Sequence, residues 1–179
     1  MSFSKEDVDT LADLGMNLIR LDVSWAGAEP ERGSYNQSYF KQIHRIVDMC
    51  EKRGIHVLLE WHQDLFSERY CGNGAPLWAS RPFTSKTKFG YPFPGHLPFS
   101  IDGDTFLPNP DDCNRFSNFA LGYFNYHLSQ AFDDLYINYN GVRDSFVAFW
   151  KKIAMEFKDK KNVIGYELIN GARRAFNFY

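Results

Sequence analysis

The sequence predicts an α/β fold: a parallel sheet built from βα units, with a (β/α)8 barrel as the architecture that fits best. Three observations carry this. Three short segments, apolar on both faces, alternate with segments of helical period, which is the pattern of strands buried between layers. Each of the three ends in polar residues on its C-terminal side: Arg20, Asp22 and Trp25, then His62, Gln63 and Asp64, then Asn170. None is followed by a G-x-G-x-x-G turn or a Walker pattern, as a nucleotide-binding sheet would require. A doubly wound sheet satisfies the first observation equally well. The other two favour the barrel, whose active sites gather at the C-terminal rim.

Taken in order, Ser4 with Asp7 three residues on has the form of a capping box. Val8, Leu11 and Ala12 give that first helix its apolar stripe, and Gly15 is placed to end it. NLIRLDVSW, Asn17 to Trp25, is short and rich in apolar and β-branched residues and reads as a buried strand. After the turn-rich AGAEPERGSYN, Tyr39, Ile43, Ile46, Val47 and Cys50 recur with helical spacing up to Gly54. Ile55 to Trp61 is the second strand. Residues 65–117 break the rhythm, holding seven of the eight prolines with many glycines and aromatics. A stretch this long without periodicity is functional or disordered, and its aromatics argue for an ordered covering loop. Helical spacing returns at Ala120, Tyr123, Phe124, His127, Leu128, Ala131, Phe132 and Leu135. A further helix carries Phe146, Phe149, Trp150, Ile153 and Phe157, and VIGYELIN, Val163 to Asn170, is the third strand.

Composition narrows the function. At 179 residues and 44% hydrophobic the chain is of one-domain size and ordinary globular content. A net charge of −2 leaves no electrostatic footprint for nucleic acid or an anionic membrane surface. No run of apolar residues is long enough for a transmembrane span, and the opening MSFSKEDVDT is too polar for a secretory signal. Aromatics reach 17%, with 17 Phe, 10 Tyr and 4 Trp; such residues fill cores and also form the stacking surfaces that hold sugars and lipids. Cys50 falls on a helix face, whereas Cys71 and Cys113 lie in loop-like sequence, where a disulfide between them is open. Asn36-Gln37-Ser38 is a glycosylation sequon, meaningful in a secreted protein.

Strand alternation places Arg20, Asp22 and Ser24 on one side, and Glu60, His62 and, if the chain stays extended, Asp64 on one side. A buried arginine in a strand needs a carboxylate partner. One reading of Arg20 is a structural salt bridge to Glu60 or Glu167; the other sets it beneath an active site, holding a catalytic carboxylate ionised. His62 and Asp64 read either as a satisfied histidine with a capping aspartate or as a pair gripping sugar hydroxyls. No second histidine stands at metal-ligand spacing near them. Trp25, Trp61 and Trp78 are each a candidate sugar-stacking platform, with core packing the competing reading. A nucleophilic triad has no support, since there is no G-x-S-x-G and no cysteine adjoins a histidine.

The runs GMNLIRLDVSWAGAEPERGSYN, GIHVLLEWHQDLFSERYCGNGAPLWA, AFDDLYINYNGVRDSFVAFWKKIA and VIGYELIN together resemble the endoglycoceramidases, retaining glycosidases related to the family 5 cellulases. The resemblance implies that residues 1–170 are an incomplete glycoside hydrolase barrel domain, roughly strands two to four of a (β/α)8 barrel, with a long aromatic loop after strand three. It implies cleavage of the β-linkage between an oligosaccharide and ceramide, without a cofactor, in an extracellular or lysosome-like compartment. A cellulase-like polysaccharide hydrolase is the alternative, as is a non-catalytic carbohydrate- or glycolipid-binding remnant. By position, Arg20 resembles the active-site arginine, His62 and Asp64 the sugar-binding pair, and Asn170 the asparagine that precedes the acid/base glutamate; Trp25 and Trp78 join them as substrate-binding candidates.

The sequence departs from that family at one point. Where the family has Asn-Glu-Pro, this chain has Asn170-Gly171-Ala172, and residues 171–179 form a divergent tail. Retaining glycosidases need two carboxyl groups about 5 Å apart, and the acid/base and nucleophile glutamates are both missing. Alternation sets Glu167 on the face opposite Asn170, so it is not expected to stand in. The expectation is a truncated chain with open sheet edges that does not itself hydrolyse glycosides.

Overall fold

A computed structural model describes residues 3–83, 100–115, 122–123 and 126–171. Helix α1 (Lys5–Asp13) starts at Ser4, whose hydroxyl accepts from the Asp7 N–H while the Asp7 carboxylate takes the Ser4 N–H, the reciprocal box the sequence predicts. Gly15 leaves the helix at φ +80°, a conformation that costs glycine nothing. Strand β1 (Leu18–Asp22) follows. The turn-rich stretch holds a short helix, α2 (Trp25–Ala28), capped by the Ser24 hydroxyl; periodicity does not reveal an element of one turn. Helix α3 (Gln37–Lys52) is capped by Asn36 and buries Phe40, Ile43, Val47 and Cys50. Strand β2 (His56–Glu60) leads to two 3-10 turns, at Glu68–Tyr70 and Leu77–Ala79. Within the long loop the described residues also form α4 (Pro110–Arg115). Helices α5 (Tyr126–Ile137) and α6 (Val142–Phe157) then deliver strand β3 (Val163–Glu167).

The three strands form one parallel sheet in the order β1-β2-β3. The β1–β2 register is continuous, from Leu18 opposite His56 to Asp22 opposite Glu60. The β2–β3 register slips once. Val57 pairs with Val163 but Leu58 pairs with Gly165, so Ile164 is a surplus residue, a β-bulge, and Glu60 comes opposite Glu167.

The two faces of the sheet differ. Val57 and Leu59 are fully buried beneath the helices, in one core with Phe40, Val47, Phe149, Ile153 and Phe157, and Ile19 and Leu21 pack against it. The opposite face carries Leu18, 48% exposed, with Arg20 and Asp22. At the β3 margin Ile164 and Leu168 are each 56% exposed. Helices on one side and an open face on the other is the arrangement of a partial (β/α)8 barrel, whose inner face is covered only when the barrel closes.

The aromatics beside the β1 and β2 ends are core. Trp25 and Trp61 are fully buried, and Trp25 meets Trp61 edge-on at 6.0 Å, Trp78 at 5.2 Å and Phe146 at 5.1 Å. The Trp25 indole N–H donates to Glu29 at 2.8 Å. A ring without exposed surface cannot stack on a sugar, so Trp25 leaves the substrate-binding set and Trp61 goes with it. Their hydrophobic contact and edge-to-face geometry explain the preference for burial. The Cys71 and Cys113 sulfurs are bonded, with the Cα atoms 5.2 Å apart, tying the loop after β2 to α4; Cys50 is a buried free thiol. Of the tail, residues 172–179 lie outside the described residues.

Candidate active-site rim

The site begins with the β1 and β2 ends. Arg20 reaches across the open face of the sheet to two carboxylates, with Nε 3.1 Å from Glu60 Oε1 and a terminal nitrogen 3.4 Å from Glu167 Oε2. Glu60 is almost fully buried, and its other oxygen has no hydrogen-bond partner among the described residues. One cation thus compensates two carboxylates that adjacent strands set side by side, which is the condition under which buried charge is tolerated. Both partners anticipated for Arg20 are present together.

One step up the sheet, Asp22 accepts the backbone N–H of His62 at 3.0 Å and so joins β1 to the residue just beyond β2. Burial raises the Asp22 pKa above the ordinary aspartate value, against the opposing pull of the His62 N–H. Nearby, the Tyr39 hydroxyl accepts the Ser24 N–H at 2.7 Å, and burial with the Asp22 charge pushes its titration well above the usual tyrosine range.

The imidazole of His62 has a partner at each nitrogen. Nε2 lies 3.2 Å from Asp64 Oδ2, and Nδ1 lies 3.1 Å from the side-chain nitrogen of Asn170. Nε2 therefore faces a carboxylate and Nδ1 faces an amide. Nδ1 is also 3.5 Å from Glu60 Oε1. The chain thus runs Asp64, His62, Asn170 with Glu60 and Arg20 below. His62 and Asp64 are partly exposed, at 34% and 42% of the side chain, so their outer surfaces meet solvent.

Glu167 corrects an expectation. Alternation sets it opposite Asn170, but the structure places Glu167 on Arg20 and Asn170 on His62, with Glu60 adjoining both Arg20 and His62. The strand ends at Glu167, and beyond it strict alternation no longer applies. Gly171, at φ +62°, is the next residue on this rim.

The sequence groups Gln63 with His62 and Asp64 at the strand end without a role, and the structure supplies one. The residue is 1% exposed, its amide nitrogen donates to the Asn170 carbonyl at 2.8 Å, and its oxygen accepts the Phe66 N–H at 2.9 Å. A buried amide bearing one donor and one acceptor straps the two rim segments together. The available signal was its place between His62 and Asp64: with neighbours turned outward, it must turn inward and find backbone partners.

The loop after Asp64 is built tightly. Leu65 and Phe66 both have positive φ, 52° and 64°, an unfavourable state for non-glycine residues that clusters at functional sites. The chain then doubles back, with Asn73 N–H on the Asp64 carbonyl at 2.8 Å and Ala75 N–H on the Phe66 carbonyl at 2.7 Å. A β-carbon on Gly72 would come within 1.9 Å of the Asp64 carbonyl oxygen, which explains the first glycine of the G-x-G-x-P-x-W-A run. Trp78, half-buried, donates its indole N–H to the Glu29 carbonyl at 3.1 Å and lies beneath the Arg32 guanidinium. Among the described residues no group of three His, Cys, Asp or Glu is placed to hold a metal ion, and no helix is long and apolar enough to cross a membrane.

Comparison with known proteins adds to this geometry. The profile of the family described as Cellulase (glycosyl hydrolase family 5) matches residues 3–92. An endoglycoceramidase of Hydra vulgaris is 44% identical over 169 residues, 94% of this chain and 32% of that protein. One from Cyanea nozakii is 41% identical, covering 94% of this chain and 33% of the other. The solved structure of endo-glycoceramidase II from Rhodococcus sp. in its five-membered iminocyclitol complex superposes with a TM-score of 0.72 at 25% identity, over 96% of this chain and 35% of that one. The chain therefore spans about a third of the length of the relatives it matches.

Proposed function

Since the chain belongs to the cellulase family, glycosyl hydrolase family 5, we propose that it forms part of the saccharide-binding rim of a glycosidase that cleaves the β-linkage between oligosaccharide and ceramide in glycosphingolipids. In the whole enzyme the reaction would follow the retaining course, one carboxylic acid protonating the leaving oxygen and a second carboxylate attacking the anomeric carbon. His62, Asp64 and Asn170 are assigned to the sugar hydroxyls and Arg20 to the charge beneath them.

What supports the reading most is one observation: His62 is held between Asp64 and Asn170, at 3.2 and 3.1 Å, at the C-terminal edge of the sheet. Those three side chains offer a carboxylate, an imidazole and an amide on a partly exposed surface, the mixture of acceptors and donors that fixes the orientation of a polyhydroxylated ligand. The likeness to the endoglycoceramidases of Hydra vulgaris and Cyanea nozakii supports a glycosphingolipid over a polysaccharide.

This polypeptide by itself is assigned binding without turnover. Glycine follows Asn170, where the acid/base carboxyl is expected. Of the carboxylates on the open face, Glu60 and Glu167 both pair with Arg20, and Asp22 accepts the His62 N–H. The test is titration of the purified chain with lactose and with cellobiose, followed by NMR shifts of His62 and Asn170, beside an assay with a fluorescent glycosylceramide. Saturable shifts with lactose and no product are expected. A preference for cellobiose would move the reading to a polysaccharide hydrolase, the absence of any shift would remove the binding assignment, and product would refute the lack of turnover.

A further inference from the structure

We propose that Asn36 is an N-glycosylation site, modified on its side-chain nitrogen by an oligosaccharyltransferase of the secretory pathway. The chain has 12 asparagines, and only Asn36, in Asn36-Gln37-Ser38, has serine or threonine two residues on. The triplet is a recognition motif, and chance produces many such triplets. Three structural observations separate this one from a chance match.

The first is the division of labour within the Asn36 amide. Asn36 caps α3, and it does so entirely through its oxygen: Oδ1 accepts from the Ser38 N–H at 3.0 Å and from the Tyr39 N–H at 3.2 Å. The nitrogen makes no hydrogen bond among the described residues. A glycan replaces one hydrogen on that nitrogen and leaves the oxygen in place, so the cap survives the modification. Asparagines held through both ends of the amide lack this freedom; Asn138, for example, donates to Asp144 through its nitrogen and accepts through its oxygen.

The second is access. Asn36, Gln37 and Ser38 are all exposed, at the first turn of a surface helix, and the Ser38 hydroxyl has no partner among the described residues. A branched saccharide is bulky and hydrated, and only a surface position holds one without displacing packed side chains. The third is independent of the motif. The Cys71–Cys113 disulfide belongs to an oxidising compartment, the setting in which N-glycans are added.

The experiment is expression of the chain behind a cleavable secretion leader in cultured animal cells, with digestion by peptide N-glycosidase and peptide mass spectrometry. The expected result is a mobility shift collapsed by the glycosidase, with Asn36 converted to aspartate. Asn36→Gln removes the acceptor and the cap together, whereas Ser38→Ala removes only the motif, so the S38A chain should lose the shift and keep its melting temperature. If the chain is retained inside the cell, endoglycosidase H treatment of the lysate gives the same readout. Unmodified Asn36 in wild-type chain that passed through this pathway overturns the proposal, as does the absence of the Cys71–Cys113 bond in that material.

Discussion

The side-chain nitrogen of Gln63 lies 2.8 Å from the backbone oxygen of Asn170, and that contact ties the end of β3 to the loop that follows β2. Through the same amide, Phe66 is held by its N–H at 2.9 Å.

Replacing Gln63 by leucine keeps the approximate shape and strands both backbone groups. An unsatisfied buried group costs about 1–3 kcal/mol, so Gln63→Leu should lose about 2–4 kcal/mol in urea unfolding, with the saccharide-dependent shift of Asn170 reduced. An unchanged midpoint would show that the strap carries no stability.

Arg20→Met leaves Glu60 buried without its cation. Loss of one partner from a fully buried pair costs about 3–5 kcal/mol. Arg20 is 46% exposed, so water moderates the loss and about 2 kcal/mol is expected. Adding Glu60→Gln should recover part of it, because the stranded charge is then removed; simple additivity in the double-mutant cycle would deny the coupling.

Trp25→Phe and His62→Ala separate core from site. Trp25 is fully buried, and its truncation should cost about 1–3 kcal/mol of stability with little change in saccharide affinity. His62 sits partly exposed at the rim, and its loss should weaken lactose binding by roughly tenfold, about 1.4 kcal/mol, while the melting temperature moves little. The opposite pattern would exchange their roles.

Opening the Cys71–Cys113 bond should destabilise the fold by about 3–4 kcal/mol, the entropy gained by a loop of this length when unfolded; the bond spans 42 residues of chain. Cys71→Ser with Cys113→Ser, compared with wild type under non-reducing conditions, measures it. Equal denaturation midpoints would contradict this.

Burial raises the Asp22 pKa in the folded state. A carboxyl with a raised folded pKa binds its proton more tightly when folded, so its contribution to stability improves as pH falls through the folded value and levels off below the unfolded one. Asp22→Asn keeps an oxygen for the His62 N–H and removes the titration. Stability of wild type relative to D22N should therefore rise as the solution is acidified from neutrality. A constant difference across that range would exclude Asp22 as the source.

Much of this was legible in the residues. The apolar runs located all three strands, because a strand buried beneath helices must be apolar wherever it faces them, and Leu59 and Val57 are. The grouping of Arg20, His62, Asp64 and Asn170 followed from parallel strands ending on one rim. The strand limits ran long at both ends of β1 and at the end of β3, because Ser24 caps a helix and the chain turns after Glu167. Trp25 shows what pattern alone does not resolve: a tryptophan at a strand's end serves a core or a sugar equally well, and only the neighbours Trp61, Trp78 and Phe146 decide. What Gln63 does was hidden for a related reason, since both of its bonds are to backbone atoms that sequence does not display.

The surplus residue at Ile164 fixes the polarity of the sheet's open side. Had the pairing of Val57 with Val163 continued without the slip, Leu58 would stand opposite Ile164 and Glu60 opposite Tyr166, turning a tyrosine inward and Glu167 toward the helices. The bulge that takes up this one residue thus keeps an acidic lining where an unbulged strand of the same sequence would present an aromatic one, and Arg20 has two charges to answer instead of one. Excising Ile164 would therefore leave Glu167 opposite Glu60 in an unbroken register, whereas flattening the bulge with Ile164 retained would turn Glu167 away from Arg20.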